Sequence, residues 1–396
     1  MATEWKKYKL GELCDLIGGY AFKSQDFGNY SDKVIKITNI NPPIVDASNL
    51  VGVNLSKYDY KKLEKYKVTQ GDYVLAMTGA TIGKLGKIVD AVDYYVNQRV
   101  LIFKPISELV DKNYLFYCLL KNDFKNFILN YVDSETAQAN ISATTVGLYS
   151  CTIPNLQTQQ KIAKILSSLD EKIELNNKIN ENLHAQAQAI FKSWFVDFEP
   201  FGGTMPSDWK EKSLVQLADF VNGLAMQRFR PKENEKALPV LKIRELRLGD
   251  CDSSSELCSS TVKQEYIVNQ GDIIFSWSGS LLVNVWSGKQ CGLNQHLFNV
   301  KPKEFYSKWF VFMWVQYHLD NFIAIANDKA TTMGHIKREH LEKAKVFVPA
   351  QKAYQQLGKL LNPIFEYSLN LRIKNKKLAQ IRDILLPKLM SGELEV

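Results

Sequence analysis

The stretch WKKYKLGELCDLIGGYA at residues 5–21 is matched, 204 positions later, by WKEKSLVQLADFVNGLA at residues 209–225. Seven residues are identical at this constant offset, among them the tryptophan, two leucines, the aspartate and a glycine. Self-similarity at a fixed spacing indicates a duplicated structural unit. The sequence therefore predicts two copies of one fold.

The duplication continues in the same order along both halves. The matched pairs are Ile35-Lys36-Ile37 with Leu241-Lys242-Ile243, Gly71-Asp72 with Gly271-Asp272, Gly79 with Gly279, Asn97-Gln98 with Asn294-Gln295, and Lys104-Pro105 with Lys301-Pro302. From Ile141 and Ile336 onward the offset holds at 195. Each copy therefore occupies about half the chain.

Each copy has the pattern of a β-rich domain followed by a long helix. Apolar runs at Val34–Ile37, Tyr73–Met77 and Val100–Phe103, separated by glycine and proline turns, predict strands. The segments Tyr114–Leu129 and Phe310–Ala324 carry apolar residues on most of their faces, which predicts one buried helix in each half.

The long helices are predicted from apolar residues that recur in steps of four and three. This spacing is typical of a coiled coil, and matching positions in the two halves favour pairing of the helices. Because a whole β-rich domain lies between them in sequence, the pair can run antiparallel. Polar residues at heptad positions, such as Asn176 and Asn375, would fix its register. The alternative is a solvated, frayed stretch. The proposed spacer positions are Ile162, Leu166, Leu169, Ile173, Asn180, Leu183, Ile190, Leu357, Leu361, Ile364, Asn375, Leu378 and Leu385.

Length and composition limit the class of protein. A chain of 396 residues exceeds what one core covers, and 45% hydrophobic with 23% charged residues is typical of folded soluble domains. The N-terminus lacks the apolar stretch of a signal peptide, and the uncharged run Ile273–Gly288 is too short for a membrane span. We therefore expect a cytoplasmic protein without a membrane partner.

Three sequence patterns resemble catalytic or cofactor motifs without completing them. Gly79–Leu85 resembles a phosphate-binding loop, but it is one residue short and has leucine where magnesium needs a hydroxyl. Asn41-Pro42-Pro43-Ile44 lacks the aromatic ring of a base-methylating motif. Asp170-Glu171-Lys172 resembles the Asp-x-Lys pattern of a nuclease metal site, but it lies on the predicted exposed side of the heptad helix. It is interpreted as a solvated helix face. Six cysteines without C-x-x-C spacing, and five histidines without zinc spacing, predict no metal site and no disulfides.

The charge balance and polar residues at repeated positions favour nucleic acid as a partner. Fifty Lys and Arg against forty-two Asp and Glu give a net charge of +8, which suits a polyanion without requiring one. For each cation the alternative is an ordinary solvated surface charge. The proposed contacts are Lys23, Lys36, Thr38, Asn39, Thr78, Lys84 and Arg99 in the first half and Arg228, Arg230, Lys242, Arg244, Arg247, Ser278 and His296 in the second.

Differences between the halves are as informative as the matches. The loop after the first Gly-Asp strand reads TGATIGK at residues 78–84, whereas its counterpart at 278–284 reads SGSLLVN. A shared scaffold with divergent loops is typical of two domains that read different DNA half-sites. Two other function classes remain open from the residues: a self-sufficient DNA enzyme, and a coiled-coil scaffold that binds only proteins.

Two motifs resemble those of the specificity subunits of type I restriction-modification systems. The segment AIFKSWFVDFEP at residues 189–200 is similar to the central conserved region of that family, and LPKLMSGEL at 386–394 is similar to its closing motif. Residues 138–142 and 331–337 resemble the motif that precedes each family helix. The order of domain, helix, domain and helix covers the whole chain.

The resemblance implies an α+β fold with two pseudo-repeated β-rich target-recognition domains separated by two long antiparallel coiled-coil helices. It divides the chain into recognition domains at 1–154 and 201–349 and spacer helices at 155–200 and 350–396. It implies a non-catalytic subunit in which each recognition domain reads one half of a bipartite gapped site in double-stranded DNA.

The resemblance also implies partners that supply the chemistry. Two modification subunits would methylate adenine, and restriction subunits, when present, would translocate and cleave DNA. S-adenosylmethionine, ATP and Mg²⁺ are expected in those partners and no cofactor in this chain. The docking residues it implies are Phe191, Trp194, Phe195, Leu386, Leu389 and Met390. The further DNA contacts it implies are Gly79, Gln138, Asn140, Gly279, His335 and Lys337.

The length of the first helix predicts the spacing of the half-sites. Ile162 to Trp194 spans 32 residues, or about 48 Å at ~1.5 Å per residue. At ~3.4 Å per base pair this covers at most about 14 base pairs. We therefore expect half-site centres about one DNA turn apart.

Overall fold

The computed structural model describes residues 4–131, 139–328 and 334–396. Contacts divide the chain into two compact units. The first comprises residues up to Glu171 together with Ala379–Val396, and the second comprises Lys172–Leu378. Each unit holds one β-rich half and part of each long helix. The division of the sequence into four segments, with the helices as segments of their own, stays a prediction.

In the first unit, short strands alternate with short helices. Its strands are β1 (Lys6–Lys9), β2 (Cys14–Gly18), β3 (Phe27–Ile35), β4 (Ile40–Asn41), β5 (Ile44–Val45), β6 (Val51–Val53), β7 (Lys67–Val68), β8 (Tyr73–Ala76), β9 (Leu85–Lys87), β10 (Tyr94–Val96), β11 (Val100–Pro105) and β12 (Ser150–Ile153). Its short helices are α1 (Leu10–Leu13), α2 (Tyr60–Leu63), α3 (Lys112–Leu119), α4 (Asn122–Asn130) and α5 (Ala143–Gly147). The long helix α6 (Leu156–Phe195) begins in this unit.

The second unit repeats this order with fewer strands. Its strands are β13 (Lys210–Ser213), β14 (Ala218–Asn222), β15 (Ala237–Leu241), β16 (Leu257–Ser259), β17 (Ile267–Val268), β18 (Ile273–Ser276), β19 (Leu282–Val285), β20 (Cys291–Leu293), β21 (Leu297–Pro302) and β22 (Lys345–Val348). Its helices are α7 (Leu214–Leu217), α8 (Ile243–Leu248), α9 (Lys308–Tyr317), α10 (Leu319–Asp328), α11 (Arg338–Lys343) and the long helix α12 (Gln351–Ser391), which ends in the first unit.

The sheet topology is the same in both units. The order β2-β11-β8-β9 corresponds to β14-β21-β18-β19, and the order β6-β3-β10-β7 corresponds to β16-β15-β20-β17. In each unit the second of these sheets contains one parallel pair, β3 with β10 and β15 with β20. The duplicated α+β fold predicted from the sequence, with two β-rich halves and two long helices, is thus confirmed.

The units differ in the segment that follows β3 and β15. In the first unit this segment forms the edge hairpin β4–β5, which extends the larger sheet to six strands. In the second unit it forms helix α8. The sequence Asn41-Pro42-Pro43-Ile44, considered above as a methylation motif, lies in the hairpin.

Most predicted strands are confirmed, whereas the predicted medium-length helices are wrong in one respect. The segment predicted as one helix at Tyr114–Leu129 is two helices, because the backbone of Lys121 is extended, with φ −64° and ψ 146°. The segment Phe310–Ala324 is likewise divided at His318, between α9 and α10. There the His318 ring is hydrogen-bonded through Nε2 to the Lys345 carbonyl, 2.8 Å away.

The long helices run antiparallel in both units. In the first unit Arg382 Nη1 lies 2.7 Å from Asp170 Oδ1. In the second, Asn176 Nδ2 donates to Asn375 Oδ1 at 2.7 Å. Residue numbers rise along one helix as they fall along the other. None of the proposed spacer positions is exposed: Ile162, Leu166, Leu357, Leu361 and Asn375 are buried, and Leu169, Ile173, Asn180, Leu183, Ile190, Ile364, Leu378 and Leu385 are half-buried.

Asp170 is not the solvated helix residue that its sequence pattern predicted. Besides its ion pair with Arg382, it accepts a hydrogen bond of 2.6 Å from the Tyr117 hydroxyl. Its carboxylate therefore joins α6 to both α12 and the β-rich half of the first unit. The heptad pattern alone did not show this, because Tyr117 lies on a different helix.

The ends of the long helices are built into the cores of the units. Leu389 and Met390 are at most 3% exposed and pack in the core of the first unit. Phe191 and Phe195 are equally buried in the core of the second, against Trp314. In this structure these four side chains serve packing, and docking of a partner on them would require opening a core; their docking role stays a prediction. Trp194 and Leu386 are partly exposed, and their docking role stays a prediction.

Candidate nucleic-acid interface

Three loops of the first unit meet at one place through backbone hydrogen bonds. They are residues 77–79, 97–99 and 139–141, which we call the first loop junction. The Met77 amide donates to the Arg99 carbonyl at 3.0 Å, and the Ile141 amide donates to the Met77 carbonyl at 3.0 Å. The Gly79 amide donates to the Ala139 carbonyl at 2.9 Å. The side chains of three separate segments are thereby held together on one rigid backbone.

The second unit repeats this arrangement bond for bond. Residues 277–279, 294–296 and 334–336 form the second loop junction. The Trp277 amide donates to the His296 carbonyl at 3.3 Å and the Ile336 amide donates to the Trp277 carbonyl at 3.0 Å. The Gly279 amide donates to the Gly334 carbonyl at 3.0 Å. The shared scaffold that the repeat predicted is therefore present down to individual backbone bonds.

A matched pair of repeat positions, Gly19 and Gly223, lies directly against the backbone of another segment, residues 96–97 in the first unit and 293–294 in the second. A Cβ atom on Gly19 would lie 2.3 Å from the Asn97 carbonyl oxygen, and one on Gly223 would lie 2.2 Å from that of Asn294. Real Cβ atoms do not approach backbone this closely, so only glycine fits. The glycine identities at 19 and 223 in the sequence repeat thus have a packing cause.

The first junction opens into a cleft of about 470 Å³. Three predicted contacts, Thr78, Arg99 and Asn140, line it together. The Thr78 hydroxyl is buried without a protein hydrogen-bond partner. Gln98 and Ser142 also line the cleft and were not among the predicted contacts. The repeat of Asn-Gln at 97–98 and 294–295 was the signal that could have identified Gln98.

The second unit has a cleft of about 400 Å³ beside its junction. The predicted contacts Lys242, Arg244 and His296 line it. The ring of His296 is held by the Ser278 hydroxyl, 2.8 Å from Nδ1. Sequence reasoning missed three further polar residues of this cleft, which are Gln227, Asn294 and Gln295.

The cations of the second cleft are already paired with carboxylates. Lys242 forms an ion pair with Glu256, and Arg244 is bonded to Glu245 and Asp252. The Asp252 and Glu245 carboxylates raise the pKa of Arg244, and Lys242 lowers the pKa of Glu256. The phosphates of a bound nucleic acid would replace these carboxylates as acceptors, because both groups compete for the same N–H donors.

A model of the family described as the type I restriction modification DNA specificity domain matches residues 2–185 and 206–382. The chain belongs to this family. Its two matched segments correspond to the two copies of the sequence repeat. The specificity subunits of type I restriction-modification enzymes, to which the sequence motifs pointed, are thus the relatives of this chain.

Curated relatives carry the same description. The chain is 30% identical, over 307 residues, to the type I restriction enzyme MjaIX specificity subunit of Methanocaldococcus jannaschii, covering 72% of this chain and 70% of that protein. It is 23% identical to the HindI specificity subunit of Haemophilus influenzae, over 99% of this chain and all of that protein. Both similarities extend well beyond a single recognition domain.

A solved structure shows the same fold. The type I restriction-modification S subunit from M. genitalium superimposes with a TM-score of 0.59 at 14% identity, over 98% of this chain and 96% of that one. At this identity the likeness concerns the fold of a specificity subunit alone. Side-chain roles in the present chain depend on its own geometry.

Several predicted DNA contacts of this specificity-family chain lie away from the two clefts. Lys36 directly follows β3 and places its Nζ 3.8 Å from the Phe27 ring centroid, a cation–π contact. Asn39 is 9% exposed, and its side chain accepts a hydrogen bond from the Lys36 amide. Its amide is thus engaged in a local turn. The remaining exposed residues away from the clefts are Lys23, Thr38, Lys84, Arg228, Arg230, Arg247 and Lys337. His335 is also exposed but belongs to the second loop junction, where it pairs with Ser278. Gln138 lies outside the described residues.

The turn glycines of the two junctions differ from the other predicted contacts. Gly79 and Gly279 have φ of 67° and 65°, a left-handed conformation that glycine adopts without strain. Each offers backbone rather than side chain to a ligand. Their role in this chain's fold is to reverse the chain after β8 and β18, so that Thr78 and Ser278 lie at the junctions.

In the described ranges, no group of three or more His, Cys, Asp and Glu side chains is placed to hold a metal ion. All six cysteines are buried free thiols. Across the same ranges, every helix is too short or too polar to cross a membrane.

Proposed function

We propose that this specificity subunit reads a bipartite, gapped site in double-stranded DNA, with one half-site read at each loop junction. The repeated backbone bonds of the two junctions, which carry different side chains, are the observation that supports this. The glutamine is shared, as Gln98 and Gln295, but the other positions differ: the first junction presents Thr78, Arg99 and Asn140, whereas the second presents Ser278, His296 and His335. A common scaffold with exchanged side chains is what two readers of different sequences require.

The chemistry of these side chains suits base edges in the major groove. Arginine binds guanine through two hydrogen bonds, and asparagine or glutamine binds adenine in the same way. Gln98, Arg99 and Asn140 belong to these residue types and converge on one cleft. The exposed cations farther from the clefts would bind phosphates, which contribute affinity without sequence information.

The proposal assigns the chemical steps to partner subunits. Two modification subunits would bind S-adenosylmethionine and methylate adenine in each half-site. Restriction subunits, when present, would use ATP and Mg²⁺ to translocate and cleave DNA. This chain would act without a catalytic site of its own, as the incomplete motifs at Leu85 and Ile44 suggest.

Substitutions at one junction test the proposal. The chain is assembled with its modification subunits and exposed to genomic DNA, and methylated adenines are mapped by sequencing. Gln98→Ala combined with Arg99→Ala should relax specificity in one half-site and weaken discrimination there by about tenfold or more. His296→Ala should affect the other half-site only.

Lys125→Ala, on the exposed side of α4, is the matched control and should leave both half-sites unchanged. If the double variant altered both half-sites equally, or neither, separate reading at the two junctions would be wrong. If the unmodified complex preferred no sequence at all, a protein-binding scaffold would replace the proposal.

A further inference from the structure

A further cavity, separate from the two clefts at the loop junctions, lies within the second unit between the long helices and the β-rich half. Its volume is about 400 Å³. Apolar side chains form most of its wall, including Leu183, Trp309, Phe312 and Phe365. Cavities of this size and character are typical of sites for small organic molecules.

The polar atoms of this cavity are unusual because they lack partners within the protein. Among the described residues, ten buried side-chain polar atoms have no hydrogen-bond partner, and five of these belong to the cavity wall. They are the two amide atoms of Asn180, Trp309 Nε1, Gln316 Oε1 and Arg372 Nε. Native proteins pair nearly all such atoms with protein groups or ordered water. Their concentration in the residues around one cavity therefore marks a polar end of a mostly apolar wall.

Arg372 gives the cavity a positive charge. Its Nη1 donates to Asn284 Oδ1 at 2.6 Å, and the ion pairs found in the described ranges do not include this guanidinium. Burial lowers the pKa of Arg372 to about 10, which still leaves it protonated near neutral pH. The nearby His184 has a pKa lowered by burial and by the Arg372 charge, so it stays neutral there. Glu181 also lines the wall but lies on the exposed side of α6.

The duplicated scaffold does not require this arginine. At the offset of 195, the position equivalent to Arg372 is Asn177, an exposed residue that accepts a hydrogen bond of 2.7 Å from Asn375. A half-buried charge without an ion-pair partner also costs desolvation energy relative to an apolar side chain of similar size. A charge kept at such a position in one copy only indicates a role outside the shared fold.

We propose that this cavity binds a small organic carboxylate with an apolar body, such as an aromatic or medium-chain acid. The carboxylate pairs with the Arg372 guanidinium, next to Asn180 and Trp309 in the wall, while the apolar side chains surround the body. A single guanidinium matches one negative charge, so a monoanion fits better than a phosphate dianion. A neutral molecule would leave the guanidinium without a counter-charge.

The proposal is tested on the full chain with benzoate and octanoate as probes and with benzamide and octanamide as their neutral counterparts. Binding is measured by calorimetry and by the shift of the thermal midpoint. At least one acid should bind with saturation, and its amide should bind at least tenfold more weakly. Equal binding of acid and amide, or no saturable binding of either acid, overturns the proposal and indicates a cavity that holds water only.

Arg372→Met separates a ligand site from a structural one. The variant should lose at least tenfold in affinity for the acid, and without ligand it should melt at the same or a higher temperature, because an uncompensated buried charge is removed. Lys374→Met, at an exposed position of the same helix, should retain acid binding. A large fall in the ligand-free melting temperature of Arg372→Met, together with unchanged acid binding by whatever folded protein remains, would contradict the assignment. The acid–amide comparison on the unmodified chain needs no variant.

Discussion

At the residue scale, Gly19 and Gly223 show how one side-chain atom would disturb a whole loop junction. Both are crossed by the turn that precedes β11 or β21, and the Gly19 amide donates to the Val100 carbonyl at 2.9 Å. The neighbouring Gly18 has more space, since its Cβ would meet only Met77 Cε at 3.8 Å. Position 18 therefore has room for a methyl group, whereas position 19 has none.

Gly19→Ala should destabilise the protein by about 2–3 kcal/mol, because the new methyl group forces backbone apart in a packed region. Gly223→Ala should act equally on the second unit. Urea unfolding followed by circular dichroism measures the loss. Gly18→Ala is the control and should cost less than about 1 kcal/mol; equal costs for Gly18 and Gly19 would show that the crossing is not tight.

Asp72 is a second residue whose role depends on contacts from other elements. Burial would raise its pKa, but hydrogen bonds from Lys112 and Lys104, at 2.6 and 2.9 Å, outweigh burial and hold the pKa below its ordinary value. A carboxylate with a lowered pKa stabilises the fold above its ordinary pKa of about 3.9. That stabilisation disappears as the pH falls through the lower, folded-state pKa.

Asp72→Asn should therefore cost about 2 kcal/mol at pH 7, and the difference from the unmodified chain should shrink below about pH 4. Denaturant unfolding at a series of pH values between 7 and 3 measures this. The repeat-equivalent control is Asp272→Asn, since Asp272 accepts hydrogen bonds from Asn269 and Asn299 instead of lysines. If both variants lost stability with the same pH dependence, the lysine contacts would not be responsible.

Residues of these two kinds differ in how far the sequence predicts them. The glycine match at 19 and 223 is visible in the repeat, although its cause, a crossing strand, is not. The Gly-Asp match at 71–72 and 271–272 is equally visible, yet the lysines that face Asp72 come from β11 and α3. The repeat shows which residues are shared by the two halves, whereas the partners of those residues depend on tertiary packing.

At the element scale, the antiparallel helix pair is almost but not fully symmetric. The repeat relates Asn375 to Asn180 and Asn176 to Leu371 through the offset of 195. The hydrogen-bonded pair Asn176–Asn375 thus corresponds to Asn180 opposite Leu371, and both amide atoms of Asn180 lack partners. Two asparagines one helical turn apart therefore have very different environments.

Asn176→Ala should cost about 1–2 kcal/mol, because it removes a buried hydrogen bond and leaves the Asn375 carbonyl oxygen without a donor. Asn180→Ala should be close to neutral, since that amide is already without partners. The two variants differ only by position on α6, so each is a control for the other. Thermal unfolding monitored at 222 nm ranks them, and a larger loss for Asn180→Ala would mean that the pairing is assigned to the wrong turn.

The same elements show where sequence patterns succeed. The steps of four and three predicted α6 and α12 because the heptad spacing continues for about nine turns, with polar residues at only a few of its positions. The divided helices α3–α4 and α9–α10 were missed, since a hydrophobic run looks the same on both sides of a bend. The exchange of hairpin β4–β5 for α8 could not be predicted either, because each segment is only a few residues long.

At the scale of the whole molecule, the duplication predicts that specificity is modular. Replacing residues 1–150 with those of another specificity subunit should change one half-site and leave the other intact, because each loop junction is formed within its own unit. Methylation mapping with the assembled complex gives the readout. The exchange of residues 201–349 is the reciprocal control, and a change of both half-sites after either exchange would contradict modular reading.

The gap between half-sites provides the last prediction. In an antiparallel helix pair, residues that face each other have numbers with a nearly constant sum. That sum is 552 for Asp170 and Arg382 and 551 for Asn176 and Asn375. Deleting residues 172–178 together with 373–379 therefore removes one facing heptad from each helix and keeps the remaining positions matched.

We expect this paired deletion to shorten each helix by about 10 Å at ~1.5 Å per residue. The gap should then become shorter by up to about 3 base pairs at ~3.4 Å each. Deleting residues 172–178 alone leaves the two helices with unequal numbers of heptads. It should lower the melting temperature, because apolar and polar heptad positions no longer face their partners. Methylation mapping of the paired deletion measures the gap directly. A folded, active paired deletion with an unchanged gap would show that the long helices do not set the distance between the two half-sites.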